Sequence, residues 1–102
     1  MAEVIWSERA SSDLEDIYAY IANDSLFYAQ YQVESIIRKV ERLQQFPESG
    51  RHIPEFPYLP YREVIVGSYR VIYRVEPTSE EVTIVTVVHG SRLLSESYIM
   101  FG

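Results

Sequence analysis

Residues 61–75 read YREVIVGSYRVIYRV. Apolar and polar positions alternate on both sides of Gly67-Ser68, the period of a strand with one buried face. Two such runs split by two residues, the first a glycine, predict a β-hairpin with a type II′ turn and strands at 61–66 and 69–75. A two-residue loop sets the register: 66 opposes 69, 65 opposes 70, and opposed residues share a face. One face is then Val64, Val66, Tyr69, Val71, Tyr73 and Val75, with Arg62 at its edge; it is apolar and is expected against helices. The other is Tyr61, Glu63, Ile65, Arg70, Ile72 and Arg74, a mixed face expected against solvent or a partner.

Working outward, residues 82–89 (VTIVTVVH) supply a further strand after the polar turn from Pro77 to Glu81. With Val75 opposite Val82, the residues Thr83, Val85, Val87 and His89 fall on the Arg70 face. On the other side, residues 46–60 hold four of the five prolines and predict an ordered loop anchored by Phe46, Ile53, Phe56, Tyr58 and Leu59. Further back, Ala10, Leu14, Ile17, Tyr18 and Ile21 make one helical face, with Ser7 as its N-cap. Ala29, Val33, Ile36, Ile37, Val40 and Leu43 make a second, capped by Asp24 or Ser25. Residues 2–6 (AEVIW) read as an opening strand, and 91–102 as a short helix or an extended end. The order β-α-α-β-β-β predicts an α+β fold, a two-layer sandwich in which an N-terminal strand and helical hairpin pack on a twisted antiparallel sheet.

The chain has 102 residues without repeat or linker, so one domain over 1–102 is expected. It has no cysteine, which excludes disulfides and thiolate metal sites, and its two histidines stand 37 positions apart. No metal and no cofactor is expected. No apolar run approaches the roughly 20 residues of a membrane helix, and MAEVIWSERA lacks a signal-peptide pattern. A cytoplasmic protein is the expectation.

The net charge of −6 is unevenly spread. Residues 1–34 hold seven acids and one base, Arg9, whereas 38–74 hold seven bases against four acids. Eight of the nine bases are arginine, whose planar fork suits phosphate or carboxylate. Arg70, Arg74 and His89 on one open sheet face, with Arg92 just beyond it, would form a nucleic-acid surface. The competing account is structural: Glu63 lies diagonal to Arg70 and Arg74, and exposed ion pairs of about 0–1 kcal/mol would explain the same residues.

Four phrases, VIWSERASSDLEDIYAYIA, LQQFPESGR, REVIVGSYRVIYRV and VTIVTVVHGSR, resemble in order and spacing the RelE/ParE superfamily, toxins of bacterial type II toxin–antitoxin modules. The resemblance covers about residues 3–92 and implies the fold derived above. Its RelE-like branch implies ribosome-dependent mRNA cleavage, without metal, by attack of a ribose 2′-hydroxyl on the adjacent phosphate. That chemistry needs cations around the phosphate and a proton donor. Arg70, Arg92 and Tyr98 fall at or near that branch's functional positions, and His89 could act as acid or base.

The departures point the other way. Tyr61 and Glu63 stand outward where the ribonuclease branch has lysines, and the single lysine, Lys39, is on a helix. DLEDIYAYIA, FPESGR and HGSR resemble the ParE-like branch, which implies a plasmid-stabilisation toxin that inhibits DNA gyrase and is not an enzyme. Under that preferred reading no residue is catalytic. Arg62, Arg70, Arg74, His89, Arg92 and Tyr98 are then binding or structural residues. The tail, with Leu93, Leu94, Tyr98, Ile99, Met100 and Phe101, is either a partner surface or packs back on its own sheet.

Both branches imply a cognate antitoxin, in a toxin–antitoxin hetero-oligomer or, without it, a homodimer. A homologue without toxicity that serves only to bind an antitoxin is the third class.

Overall fold

The computed structural model describes residues 1–101; the tail's Phe101 side chain and Gly102 lie outside the described residues. The elements run β1 (Val4–Trp6), α1 (Glu8–Ala22), α2 (Leu26–Glu41), β2 (Arg51–His52), β3 (Arg62–Val66), β4 (Tyr69–Val75), β5 (Val82–His89) and α3 (Glu96–Phe101). A single 3₁₀ turn at Arg42–Gln44 ends α2. The sheet order is β1-β5-β4-β3-β2.

The β3–β4 register is the expected one, with Val66 opposite Tyr69 and Arg62 opposite Tyr73. Gly67 has φ of 59°, and Ser68 does not share a positive φ, which is the signature of a type II′ turn. Both helix caps are serines. The Ser7 side chain accepts from the Ala10 amide at 3.0 Å and donates to Val85 O at 2.9 Å. At α2 the cap is Ser25, not Asp24, accepting from the Tyr28 amide at 3.1 Å.

The two helices lie on the face carrying Val64, Val71 and Tyr73. There Ile17 from α1, Ile36 and Val40 from α2 and Leu43 from the 3₁₀ turn close an apolar core with Val82, Ile84 and Val87. A fully buried Ile36 contributes about 1.5–3 kcal/mol through area removed from water. Ile37, expected on this stripe, is instead exposed at the edge of the helix pair.

Three features go beyond the expected antiparallel two-layer plan. First, β1 joins the free edge of β5 in parallel, Val4 opposite Val82 through Trp6 opposite Ile84, so the sheet is mixed. Second, the outer sheet face is not open. The proline loop and the tail fold over it, and Ile53, Tyr61, Ile72, Val85, Val88, Leu94 and Ile99 form a second core there. Apolar Ile72, Val85 and Val88 on that face required such a cover. The loop's anchors are Ile53, Phe56 and Leu59; Phe46 and Tyr58 are exposed.

Third, β5 carries a bulge. Tyr73 opposes Ile84 but Ile72 opposes Thr86, leaving Val85 unpaired. Beyond it the alternation is shifted by one. Thr86 and Val88 share the Arg70 face, while Val87 enters the helix-side core and His89 stands opposite Tyr69. The expected placement of Val87 and His89 beside Arg70 is therefore corrected. The bulge sits where β1 stops and α1 begins. Ser7 takes the two last bonds to β5, its amide to Ile84 O at 3.0 Å and its hydroxyl to Val85 O. Asp13 of α1 then accepts from the Val87 amide at 2.9 Å and from the Thr86 hydroxyl, replacing the missing strand.

Gly50 joins the loop to the sheet. Its amide donates to the Tyr73 hydroxyl at 2.8 Å, and a Cβ there would lie 2.5 Å from Glu63 O and 2.6 Å from that hydroxyl. Neither the strand backbone nor the fully buried Tyr73 can retreat. Gly50→Ala is expected to cost about 2 kcal/mol, read as a fall in the urea midpoint at unchanged m value. A loss under about 0.5 kcal/mol would show that the loop can move away.

Candidate functional site

The outer sheet face places four charged side chains together from three strands and a loop. Glu63 of β3 and Arg70 of β4 are diagonal neighbours, as the hairpin register dictates. Arg51 stands on β2, directly opposite Glu63. Glu55 comes from the proline loop. Arg70 Nε donates to Glu63 Oε1 at 2.7 Å, and its two terminal nitrogens donate to the two Glu55 oxygens, each at 2.8 Å. Nη1 also donates to Arg92 O at 2.9 Å. Arg51 Nε reaches the second Glu63 oxygen at 2.6 Å.

The pairing is buried. The side chains of Arg70 and Glu63 are 7% and 0% exposed. Among the described residues no buried side-chain polar atom lacks a partner. The hydrogen bonds from Arg70 hold the Glu55 carboxyl at about 2, against an opposing push from burial; the Leu94 amide, donating at 3.0 Å, adds to the lowering. The hydrogen bond to Glu55 raises the Arg70 guanidinium above its usual value, again against burial. Both groups stay ionised at neutral pH. The expected Glu63–Arg70 pair thus exists, but inside the protein, and the second partner of Glu63 is Arg51 rather than Arg74.

A second group lies at the end of the tail. The Tyr98 ring is contacted by two guanidinium groups, Arg9 at 3.9 Å and Arg92 at 4.2 Å from its centroid. Arg9 also donates to the Tyr98 backbone oxygen. The Tyr98 hydroxyl is 3.3 Å from Thr86 Oγ1, which is held by Asp13. Arg92 and Tyr98 are therefore neighbours, and Arg70 joins them only through the Arg92 backbone oxygen.

The remaining residues singled out in the sequence are dispersed. Arg62 donates to Gly50 O at 2.7 Å and Glu48 O at 3.3 Å, pinning the loop. Arg74 Nε donates to Glu76 at 2.8 Å, and this hydrogen bond raises its pKa. His89 is exposed on the opposite face, edge-on to Tyr69 at 5.7 Å. Its Nδ1 accepts from the Ser91 amide at 3.1 Å, which leaves Nε2 as the outward nitrogen.

Arg9, Glu55 and Arg51 were not singled out for this face. Arg9 carried a signal, being the only base among the first 34 residues. Glu55 carried none, since its role depends on where the loop lands. Among the described residues no group of three or more His, Asp or Glu side chains is placed to hold a metal ion, and no helix is long and apolar enough to cross a membrane.

A shallow groove of about 410 Å³ opens over this cluster, with Glu55, Glu63 and Arg70 in its lining and Arg51, Pro54, Ile65 and Leu93 around them. Leu93 is 84% and Ile65 52% exposed, so the edge of this covered face remains apolar and accessible.

Comparison with solved structures gives the same architecture. A chain of the chromosomal ParDE toxin–antitoxin system from P. aeruginosa superposes with a TM-score of 0.72 at 23% identity, over 87% of this chain and 96% of that one. A chain of the RelBE2 toxin–antitoxin complex from Mycobacterium tuberculosis gives 0.64 at 19%, over 86% and 96%. A mutant of the E. coli toxin RelE in the free state gives 0.62 at 19%, over 89% and 86%. These similarities establish the fold. No curated relative matches the chain. The family described as the ParE toxin of the type II toxin–antitoxin system parDE matches residues 4–94, from the start of β1 to the first tail anchor, Leu94. This chain belongs to that family of toxins, within the RelE/ParE superfamily.

Proposed function

We propose that this toxin arrests growth without cleaving RNA, by inhibiting DNA gyrase, and that a cognate antitoxin neutralises it. The observation that carries this reading is the closure of Arg70. A scissile phosphate would have to displace two glutamates from it and leave both buried carboxylates without their shared guanidinium. His89 stands on the other face of the sheet, and the Tyr98 hydroxyl points into the Thr86–Asp13 contact. Cations, general base and general acid do not converge on one point, as general acid–base chemistry on a phosphate requires. The antitoxin fits the groove beside Leu93 and Ile65, where exposed apolar side chains suit an extended segment of a partner. Action on gyrase places the protein in the cytoplasm, and loss of a plasmid-borne antitoxin would release it.

Two assays on one preparation test this. Purified toxin added to gyrase and relaxed plasmid is expected to abolish supercoiling and accumulate cleaved DNA, while mRNA on translating ribosomes stays intact. In cells induced without antitoxin, thymidine incorporation falls before methionine incorporation. Early mRNA cleavage that Arg92→Ala or Tyr98→Phe abolishes would overturn the proposal and make those two residues catalytic. A folded protein with neither effect would be an antitoxin-binding homologue without toxicity.

A further inference from the structure

The helical hairpin has a surface that neither the fold nor the sheet site uses. Around its connection, Tyr20, Leu26, Phe27, Tyr28 and Tyr31 all point to solvent. Phe27, Tyr28 and Tyr31 are 69%, 63% and 58% exposed, whereas Ala29, Ile36 and Val40 of the same helix are buried. Phe27 and Tyr31 are one turn apart on α2 and so share a face. Phe27 and Tyr28 meet edge to face at 5.4 Å. The stripe that α2 needs for its own core is a different one, Ala29, Ile36 and Val40. These rings contribute nothing comparable to the core, and a cluster of exposed aromatics at one end of a small domain is a recognised mark of a contact surface.

The charge around the rings is of one sign. From Ala10 to Ile37 there is no lysine, arginine or histidine, and five carboxylates. Asp13 is consumed inside the fold, but Glu15, Asp16 and Asp24 make no ion pair among the described residues. Glu34 has only an exposed contact of 4.0 Å with Arg38.

The combination points to one occupant: we infer that the hairpin surface docks a basic, apolar segment of a protein partner, arginine or lysine alternating with leucine-like side chains on one face of a helix. Its cations would lie over the Tyr and Phe rings and between the carboxylates, and its apolar side chains against Leu26 and Phe27. Nucleic acid and anionic lipid are repelled by the acids. An acidic segment is repelled for the same reason, and no residue of this surface lines the groove beside Leu93. A second copy is disfavoured too. An isologous contact would bring two acidic surfaces together, and a contact with the basic middle of the next chain would be head-to-tail, giving a ring or a filament rather than a dimer.

The test uses the whole protein and a short amidated helical peptide with leucine and arginine alternating on one face. A control peptide carries glutamate in place of arginine. Titration by NMR is expected to shift amides within residues 15–34 and to give a dissociation constant in the tens of micromolar. The double variant F27Q/Y31Q, at exposed helix positions, keeps the wild-type melting temperature and loses at least tenfold in affinity. D24N/E34Q binds more weakly at low salt and loses most of the salt dependence. Shifts centred outside the hairpin, unchanged affinity in F27Q/Y31Q, or equal binding of the acidic peptide would each overturn the inference.

Discussion

Arg70→Met is expected to destabilise the domain by about 3–5 kcal/mol, the usual cost of removing one partner from a buried ion pair. The substitution keeps the side chain's length and apolar stem but leaves the Glu63 carboxylate, 0% exposed, with Arg51 alone. It also strips both Arg70 hydrogen bonds from Glu55. For a domain of this size each kcal/mol lowers Tm by about 4–8 °C, so thermal and urea unfolding would both record the loss. Replacing Glu63 as well, as Glu63→Gln/Arg70→Met, removes the stranded charge and is expected to recover more than half of it. A single-variant loss below about 1 kcal/mol would mean that water enters the cluster and that Arg70 is more available to ligands than its burial indicates. The double variant also serves function. Any effect of Arg70→Met on growth arrest is confounded by unfolding, whereas arrest by a folded double variant shows directly that Arg70 has no chemical role.

That cluster marks the limit of what the residue pattern can reveal. The hairpin was legible because its information is local. Alternation over YREVIVGSYRVIYRV and one glycine at the turn determine which residues oppose each other, and the limits of β4, with those of β3 to within one residue, follow. Ser7 and Ser25 were legible for the same reason, since a cap acts within three residues. The bulge at Val85 was not. VTIVTVV is β-branched or apolar at every position, so a slip by one leaves no trace in the pattern. Its determinants, Ser7 and Asp13, lie more than 70 positions away. The same distance hid Arg9 against Tyr98, 89 positions apart. Reading the Arg70 face as open was wrong for a related reason: alternation shows which residues share a face but not what covers it. The apolar Ile72 and Val85 on the Arg70 face were the available clue that something would cover it.

Family and chemistry separate at the same place. The chain matches the ParE toxin family over residues 4–94, while the arginine that a nuclease would need on the sheet, Arg70, is closed off by Glu55 and Glu63. An arginine at a family position is informative only together with its partners. With two carboxylates on its guanidinium, Arg70 organises the face on which the tail rests, and it does so at neutral charge, since Arg51 and Arg70 balance Glu55 and Glu63.

Acid should release that tail before it unfolds the sheet, and Glu55 is the reason. One Glu55 oxygen accepts from both Arg70 and the Leu94 amide, so the carboxylate ties the start of the tail to β4. Its folded pKa of about 2 lies below the usual 4.5. Above about pH 4.5 the group is ionised whether the tail is docked or free, and its full contribution is present. As pH falls below 4.5 the undocked form takes up the proton first. Stability then declines until, near pH 2, both forms are protonated and the contribution is gone. The shift corresponds to at most about 3 kcal/mol, because Glu55 retains slight solvent contact. In hydrogen exchange, the Leu94 and Ile99 amides are expected to lose protection between pH 4.5 and 2.5, ahead of the Val71 and Ile84 amides of the central strands. Glu55→Gln should lower protection of the same two tail amides already at pH 7 and flatten their pH dependence. If wild-type and Glu55→Gln lose tail protection in parallel as pH falls, another carboxylate carries the transition. Leu94 and Ile99 would then be held by their burial alone.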